Sequence, residues 1–281
     1  VTVSANRIAA IVYEVCCLDV RALKPGNVSV YVPGHRMTAT DFVLSAEVAA
    51  KAITTAGDSV GARVRCAVAA TVDAVGCNTN LGIVLLLAPM VHAMLSDCSG
   101  PLQRRITQVL AALTVADASA VYEAIRLARP AGLGNVSAQD VGGIPSVDLR
   151  QAMALAADRD RIARQYISNF ADIFSTGLDA IKKASAKGWT DEWCAVACYL
   201  RFLVSGGDSH VERKFGGAAA EAVSQRAAVV ESHIKACDNP RTAVPILLKM
   251  DNKLKAEGVN PGTSADLTIA SLAAWRFDAL L

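Results

Sequence analysis

The sequence predicts an all-α fold: a single globular multi-helix domain over residues 1–281, packed around one core. Three observations carry that expectation. Alanine, the best helix former, is abundant, and apolar residues recur at spacings of three and four. Alternating β-branched runs between hairpin turns are missing, apart from one short strand candidate at residues 28–32 (Val-Ser-Val-Tyr-Val). The chain is 53% hydrophobic but only 5% aromatic, so a large core is built mostly from small aliphatic side chains. No Pro-, Gly- or Ser-rich linker and no fixed repeat divides it.

The pattern places helices near residues 3–20, 39–56, 59–75, 81–96, 101–112, 115–129, 147–176, 178–187, 190–204, 209–236, 240–257 and 264–279. The first has no basic segment leading into an apolar stretch, and acids sit inside it, so it reads as a helix and not as a signal peptide. The fourth contains the most apolar run, LGIVLLLAPMVHAML. Mean hydropathy is +0.34, which raises the question of a membrane span. That run is shorter than the ~20 residues a bilayer core requires, contains Pro89 and His92, and follows Cys77-Asn78-Thr79-Asn80. It reads as a buried core helix. Thr114 precedes Val115-Ala116-Asp117 and Thr190 precedes Asp191-Glu192, each offering a hydroxyl cap with acid in the first turn. Gly188 is a stop signal for the helix before it.

Composition also excludes function classes. A net charge of +2 argues against a nucleic-acid surface. The high apolar share argues against disorder and is as compatible with a homodimer face as with a monomer core. Of the eight cysteines, most lie among Ala and Val as small buried hydrophobes. Cys194 and Cys198 share a helix face without further ligands nearby, so zinc is not expected. Free thiols without an export signal point to the cytoplasm, away from any membrane.

Polar residues interrupt the apolar pattern in five segments: Leu23-Lys24-Pro25-Gly26-Asn27-Val28, Asn78-Thr79-Asn80-Leu81-Gly82, Asp158-Arg159-Asp160-Arg161 with Arg164-Gln165-Tyr166, Gly206-Gly207-Asp208-Ser209-His210 with Arg213-Lys214, and Asn260-Pro261-Gly262-Thr263-Ser264-Ala265-Asp266. Two of them, Asn80-Leu81-Gly82 and Gly262-Thr263-Ser264, open helices, where exposed N–H groups and the helix dipole attract anions or are simply capped. Lys24 beside Pro25-Gly26 suits phosphate on a tight loop, or a solvated turn, without the spacing of a Walker A loop. Consecutive charges at Asp158–Arg161 cannot all face a core, so they line a cleft or an exposed, ion-paired helix face. Asp208 and Asp266 follow small residues, where a carboxylate can meet a ligand or Mg²⁺. His210 is the histidine placed for proton transfer.

Taken together and in order, the five segments resemble the triphosphoribosyl-dephospho-coenzyme A synthase family, and they span nearly the whole chain. The resemblance implies an all-helical enzyme in which the 2′-hydroxyl of 3′-dephospho-coenzyme A attacks C1′ of the ATP ribose. Adenine leaves and the triphosphate stays on the transferred ribose, giving a prosthetic-group precursor. Under that reading Asp158, Asp160 and His210 are the candidate catalytic residues. Asp208 and Asp266 would take Mg²⁺ with the triphosphate. Lys24, Gly26, Asn27, Asn78, Asn80, Gly82, Arg159, Arg164, Lys214, Gly262 and Ser264 would bind the nucleotide. A carboxylate suits this chemistry because glycosyl transfer passes through an oxocarbenium-like transition state. Two other readings stay open from residues alone: a same-fold coenzyme-biosynthesis enzyme (for example in a one-carbon pathway) with another phosphorylated acceptor, and a non-catalytic nucleotide-binding protein. Residues 28–32 and the Gly34-His35-Arg36 tip are where acceptor specificity would vary.

Overall fold

The computed structural model describes residues 3–35, 37–55, 59–130 and 139–281; Arg36, at the expected specificity tip, lies outside them. All regular structure among the described residues is helical, apart from an isolated antiparallel bridge between Gly34 and Met37. The helices are α1 (Ala5–Arg21), α2 (Ala39–Thr55), α3 (Val60–Val75), α4 (Leu81–Leu95), α5 (Leu102–Ala111), α6 (Val115–Ala128), α7 (Leu149–Ala154), α8 (Arg161–Ile167), α9 (Leu178–Ala186), α10 (Asp191–Gly206), α11 (Ser209–Phe215), α12 (Gly217–Ala236), α13 (Val244–Ala256) and α14 (Gly262–Asp278). A π-helical turn, Ile173–Gly177, leads into α9, and a 3₁₀ turn, Pro240–Ala243, leads into α13.

Two helices form the axis. The apolar run becomes α4, 15 residues long and buried along nearly its whole length, packed against α3, α5 and α14. No single described helix is long and apolar enough to cross a membrane. The second axial helix, α14, packs against α1, α4 and α10. Its buried face is built from small residues such as Ala265, Ala270, Ser271, Ala273 and Ala274, which allow near approach. A Cβ on Gly177 would lie 2.0 Å from Ser271 Oγ, so the π turn reaches α14 only because that position is glycine. One core cluster runs from Ile8 of α1 to Phe277 of α14.

The ends of the helices follow local chemistry. Thr114 and Asp117 form a reciprocal capping box on α6, and the other Asp117 oxygen accepts from Gly61 N at 2.7 Å. A Cβ on Gly61 would stand 2.6 Å from Asp117 Cα, so the starts of α3 and α6 are joined through a glycine. Gly188 stops α9 at a φ of 74°, donating to Ser185 O. Thr190 occupies the N-cap of α10, yet its hydroxyl makes no capping bond.

Three expectations need correction. The long helix expected at residues 147–176 is broken twice. Asp160 caps a new helix by accepting from Ile162 N at 2.8 Å and Ala163 N at 3.2 Å. Asn169 and Phe170 then take left-handed backbone at φ of 53° and 61°, while Arg150 binds the freed carbonyls of Tyr166 and Ile167. The helix expected at 209–236 is interrupted at Gly216, φ 86°. Residues 28–32 form a loop, tied by Ser29 N to Val32 O and Val30 N to Val20 O; Val30 and Tyr31 point to solvent.

Candidate active site

The N-termini of α4 and α14 meet, and their first turns form the floor of a cleft of about 1180 Å³. Neither helix start is capped by the side chain of its own N-cap residue, so both dipole ends favour negative charge here. At the junction the Asp266 carboxylate lies against Gly82: a Cβ on residue 82 would fall 2.0 Å from Asp266 Oδ2. Asp266 faces the cleft and makes no hydrogen bond or ion pair among the described residues.

The Lys24-Pro25-Gly26-Asn27 loop lies behind this floor and does not line the cleft. Lys24 is wholly buried and ion-paired with Asp19, so it is placed away from the phosphate contact expected of it. Gly26 N donates to Asp251 Oδ1 at 2.8 Å, and Tyr199 donates its hydroxyl to Pro25 O. Asn27 is buried and donates to Asn260 Oδ1. Gly26 has a φ of 88°, and a Cβ there would stand 2.7 Å from Pro261 Cδ. The loop therefore buttresses the Asn260-Pro261-Gly262 entry to α14. His35, which lines the cleft, donates from Nε2 to Gly26 O at 2.9 Å.

One rim comes from the starts of α8 and α11. Asp160 caps α8 with one oxygen and pairs with Arg213 through the other. Arg159, His210 and Lys214 join Asp160 on the cleft wall. Asp208 is differently placed from the metal role expected of it. It is 1% exposed, accepts from His210 N and Val211 N, both at 3.0 Å, and accepts from Ser264 N at 2.7 Å and Ser264 Oγ at 2.8 Å. Four donors occupy the carboxylate's acceptor positions, so Asp208 ties α11 to α14 and has none left for a cation. Among the described residues, no group of three or more His, Cys, Asp or Glu gathers as a metal site.

A further part of the wall comes from the end of α6, with Tyr122, Arg126 and Arg129, and from Gln139 and Asp140. Tyr122 donates to Gln139 O at 2.7 Å, and Arg126 donates to Val141 O at 2.6 Å. Helix α7 packs against both α6 and α8 and contributes Ala152 and Met153 to the cleft.

Of the residues singled out from sequence, the structure gathers Asn78, Gly82, Arg159, Asp160, His210, Lys214, Gly262 and Asp266 around one cleft. Asp158 is exposed and outside it. Arg164 is exposed and donates to Ala157 O and Asp158 O, closing the turn before α8. Asn80 is buried and donates to Thr71 Oγ1 at 3.1 Å; Ser264 is committed to Asp208. Sequence reasoning missed Asp19, Asp251, Arg126 and Arg129. An acid between Leu18 and Val20 in an otherwise apolar helix end was a readable signal for Asp19. Asp251, among Lys249, Asn252 and Lys253, reads like any surface acid.

Electrostatics pushes two cleft groups in opposite directions. Burial, then the nearby Asp19 charge, raise the Asp266 carboxyl well above its ordinary value; Lys24 opposes this, and Asp208 and Asp160 add to it. Burial lowers His210 below the usual imidazole value against the pull of Asp208, helped by Arg213, Lys214 and His35.

The model of one protein family matches residues 5–281, that of ATP:dephospho-CoA triphosphoribosyl transferase. Among solved structures, the chain is similar to a crystal structure assigned to a triphosphoribosyl-dephospho-CoA synthase of Archaeoglobus fulgidus. The TM-score is 0.65 at 23% identity, over 84% of this chain and 98% of that one, a likeness of fold. A search of the curated proteins found no match. The family match over nearly the whole chain, on a helical fold whose cleft combines cations with carboxylates, places this protein in the ATP:dephospho-CoA triphosphoribosyl transferase family, enzymes that move the triphosphoribosyl group of ATP to dephospho-CoA.

Proposed function

We propose that the transfer runs at the junction of α4 and α14, with Asp266 and His210 as its acid and base. The C1′–N bond of ATP breaks and a bond from C1′ to the 2′-oxygen of dephospho-CoA forms. Departing adenine needs a proton, which Asp266, its carboxyl raised well above the ordinary value by burial and the Asp19 charge, supplies. The proton of the attacking hydroxyl goes to neutral His210. Two groups in one cleft whose environments push them in opposite directions are the pattern expected of an acid and base pair. Asp160 faces the positive charge that develops on the ribose. Arg159, Arg213 and Lys214 hold the triphosphate, which is one ribose away from the reacting carbon.

Magnesium fits here as part of the substrate. Asp208 is fully committed, and Mg²⁺ with nucleotides usually takes phosphate oxygens and water with few protein ligands. The eight free cysteines support a reducing compartment, the cytoplasm.

The observation that carries this reading is Asp266: a carboxylate in the cleft, pressed on a glycine at a helix start and, among the described residues, without a side-chain hydrogen-bond partner. Asp266→Asn and His210→Gln are expected to fold, by circular dichroism, and to lose about 100-fold or more in adenine release, read by chromatography as free adenine and not ADP. Asp158→Asn, outside the cleft, is expected to keep wild-type rates. Full activity in Asp266→Asn refutes the assignment.

A further inference from the structure

We infer that the α6 end of the cleft is the acceptor subsite, where Arg129, with Arg126 beside it, receives the diphosphate of dephospho-CoA and the apolar wall behind them receives its pantetheine arm. The inference rests on the reading of the α8–α11 end as the triphosphate end. Both substrates are polyanions joined to an adenosine ribose, so a cleft that holds both must offer two separated cationic patches. The structure has two. Arg159, Arg213 and Lys214 lie with Asp160 at the start of α8 and along α11; Arg126 and Arg129 lie at the end of α6, and all of them line the cleft.

The surroundings of the two patches differ as the two substrates do. In ATP, charge is concentrated within one ribose of the reacting carbon, and the first patch is a compact mix of cations and carboxylates. In dephospho-CoA, the diphosphate leads into a long arm of methylenes, methyls and amides. The second patch sits on Val121, Ile125, Leu127, Leu149 and Met153, all lining the cleft. Arg129 is exposed, its side chain makes no hydrogen bond or ion pair among the described residues, and it stands at a φ of 46° as the C-cap of α6, its backbone N–H donating to Ile125 O. Arg126 is anchored by Val141 O and Gly143 O, with its guanidinium at the cleft wall.

The test is Arg129→Asn, because asparagine tolerates the left-handed backbone and removes the charge, with Arg129→Lys as the charge-restoring variant. The KM for dephospho-CoA is expected to rise about tenfold, the loss of one charge-assisted contact, while the KM for MgATP stays within about twofold and Arg129→Lys recovers part of the loss. Titration calorimetry with dephospho-CoA alone is expected to show the same weakening. A rise in the KM for MgATP instead, or no change in either, overturns the subsite while leaving the transfer reading intact. If wild-type protein binds dephospho-CoA but releases no adenine, the transfer reading fails and calorimetry still decides the subsite. Wild-type protein that does not bind dephospho-CoA overturns the subsite.

Discussion

Gly82→Ala separates stability from catalysis more sharply than any other single change. The added Cβ would lie 2.0 Å from Asp266 Oδ2, 2.5 Å from Asp266 Cγ and 2.8 Å from Ile162 Cδ1. Ordinary contact begins near 3.4 Å, so the carboxylate must retreat by roughly 1.4 Å while the end of the flexible Ile162 side chain yields. Because the Asp266 carboxylate has no hydrogen bond to break among the described residues, its retreat costs little. Alanine in place of glycine in a helix returns up to about 1 kcal/mol. The two effects nearly offset, and Tm is expected to stay within about 4 °C of wild type. Catalysis has no such compensation. Displacing a reacting group by about 1 Å costs on the order of 100-fold, equivalent to about 2.7 kcal/mol of transition-state stabilisation. The assay is adenine release under saturating MgATP and dephospho-CoA, beside thermal melts and circular dichroism. Gly82→Ala and the double variant Gly82→Ala/Asp266→Asn are expected to be about equally slow, since both remove one group's action. A Gly82→Ala protein with wild-type kcat would falsify the placement of Asp266 at the reacting atoms.

The remaining predictions concern protons, the carboxylate knot and metal. In kcat/KM against pH, His210 gives the acid limb, below its ordinary 6.5, and Asp266 gives the alkaline limb, above the ordinary carboxylate range; each limb is expected to vanish from the residual rate of the His210→Gln or Asp266→Asn variant. Stability has the opposite dependence on each group. Unfolded His210 takes a proton before the folded form does, so stability falls as pH drops through 6.5. Unfolded Asp266 ionises first, so stability falls as pH rises from about 3.8 to its folded value, a slope that Asp266→Asn removes in chemical denaturation. Asp208→Asn breaks the set of four donors around a buried carboxylate and is expected to cost roughly 2–4 kcal/mol in urea denaturation; an unchanged midpoint would contradict the knot. Chelation with EDTA is expected to stop adenine release yet leave the Tm of the free protein unchanged, as befits an ion that arrives with ATP.

Helix existence and the core were legible because they follow from short-range pattern. The apolar run of α4 could only be a buried helix, and Thr114 with Asp117 announced its own capping box. The breaks were less legible for a physical reason. Ala154 through Ala157 continues a helical pattern, and only the tertiary use of Asp160, as cap for α8 and partner for Arg213, makes termination there favourable. The site was half legible in the same sense. Types such as Asp, Lys and Asn in apolar surroundings mark where burial must be compensated, but not which side of the cleft wall each occupies. Lys24 and Asp208 read as ligand contacts because unexplained polar residues look alike in sequence. Their partners, Asp19 and Ser264, are set by the packing of α1 and α14, which no local pattern encodes. Arg126 and Arg129 escaped notice for the converse reason: an arginine near the exposed end of a helix has an ordinary explanation until a cavity opens beside it.

The near-neutral total charge also takes on a more definite meaning. The charges of Asp19 and Asp208, both buried, raise the Asp266 carboxyl at the cleft floor, behind the larger effect of its own burial. Asp19 is relieved by Lys24 and Asp208 by four hydrogen-bond donors. Asp266 receives the burial and the repulsion against the pull of Lys24, which together favour its protonated form. Under the proposed function, buried Lys24 and the helix-capping Asp208, which the resemblance assigns to substrate and metal, bear on the reaction from behind the floor, Lys24 lowering and Asp208 raising the Asp266 carboxyl. The cations proposed to meet phosphate stand on the rim. A net charge of +2 is the balance of 28 basic and 26 acidic side chains over the whole chain, and it conceals both an inner group of carboxylates around Lys24 and an outer group of cations, Arg159, Arg213 and Lys214, on the cleft wall.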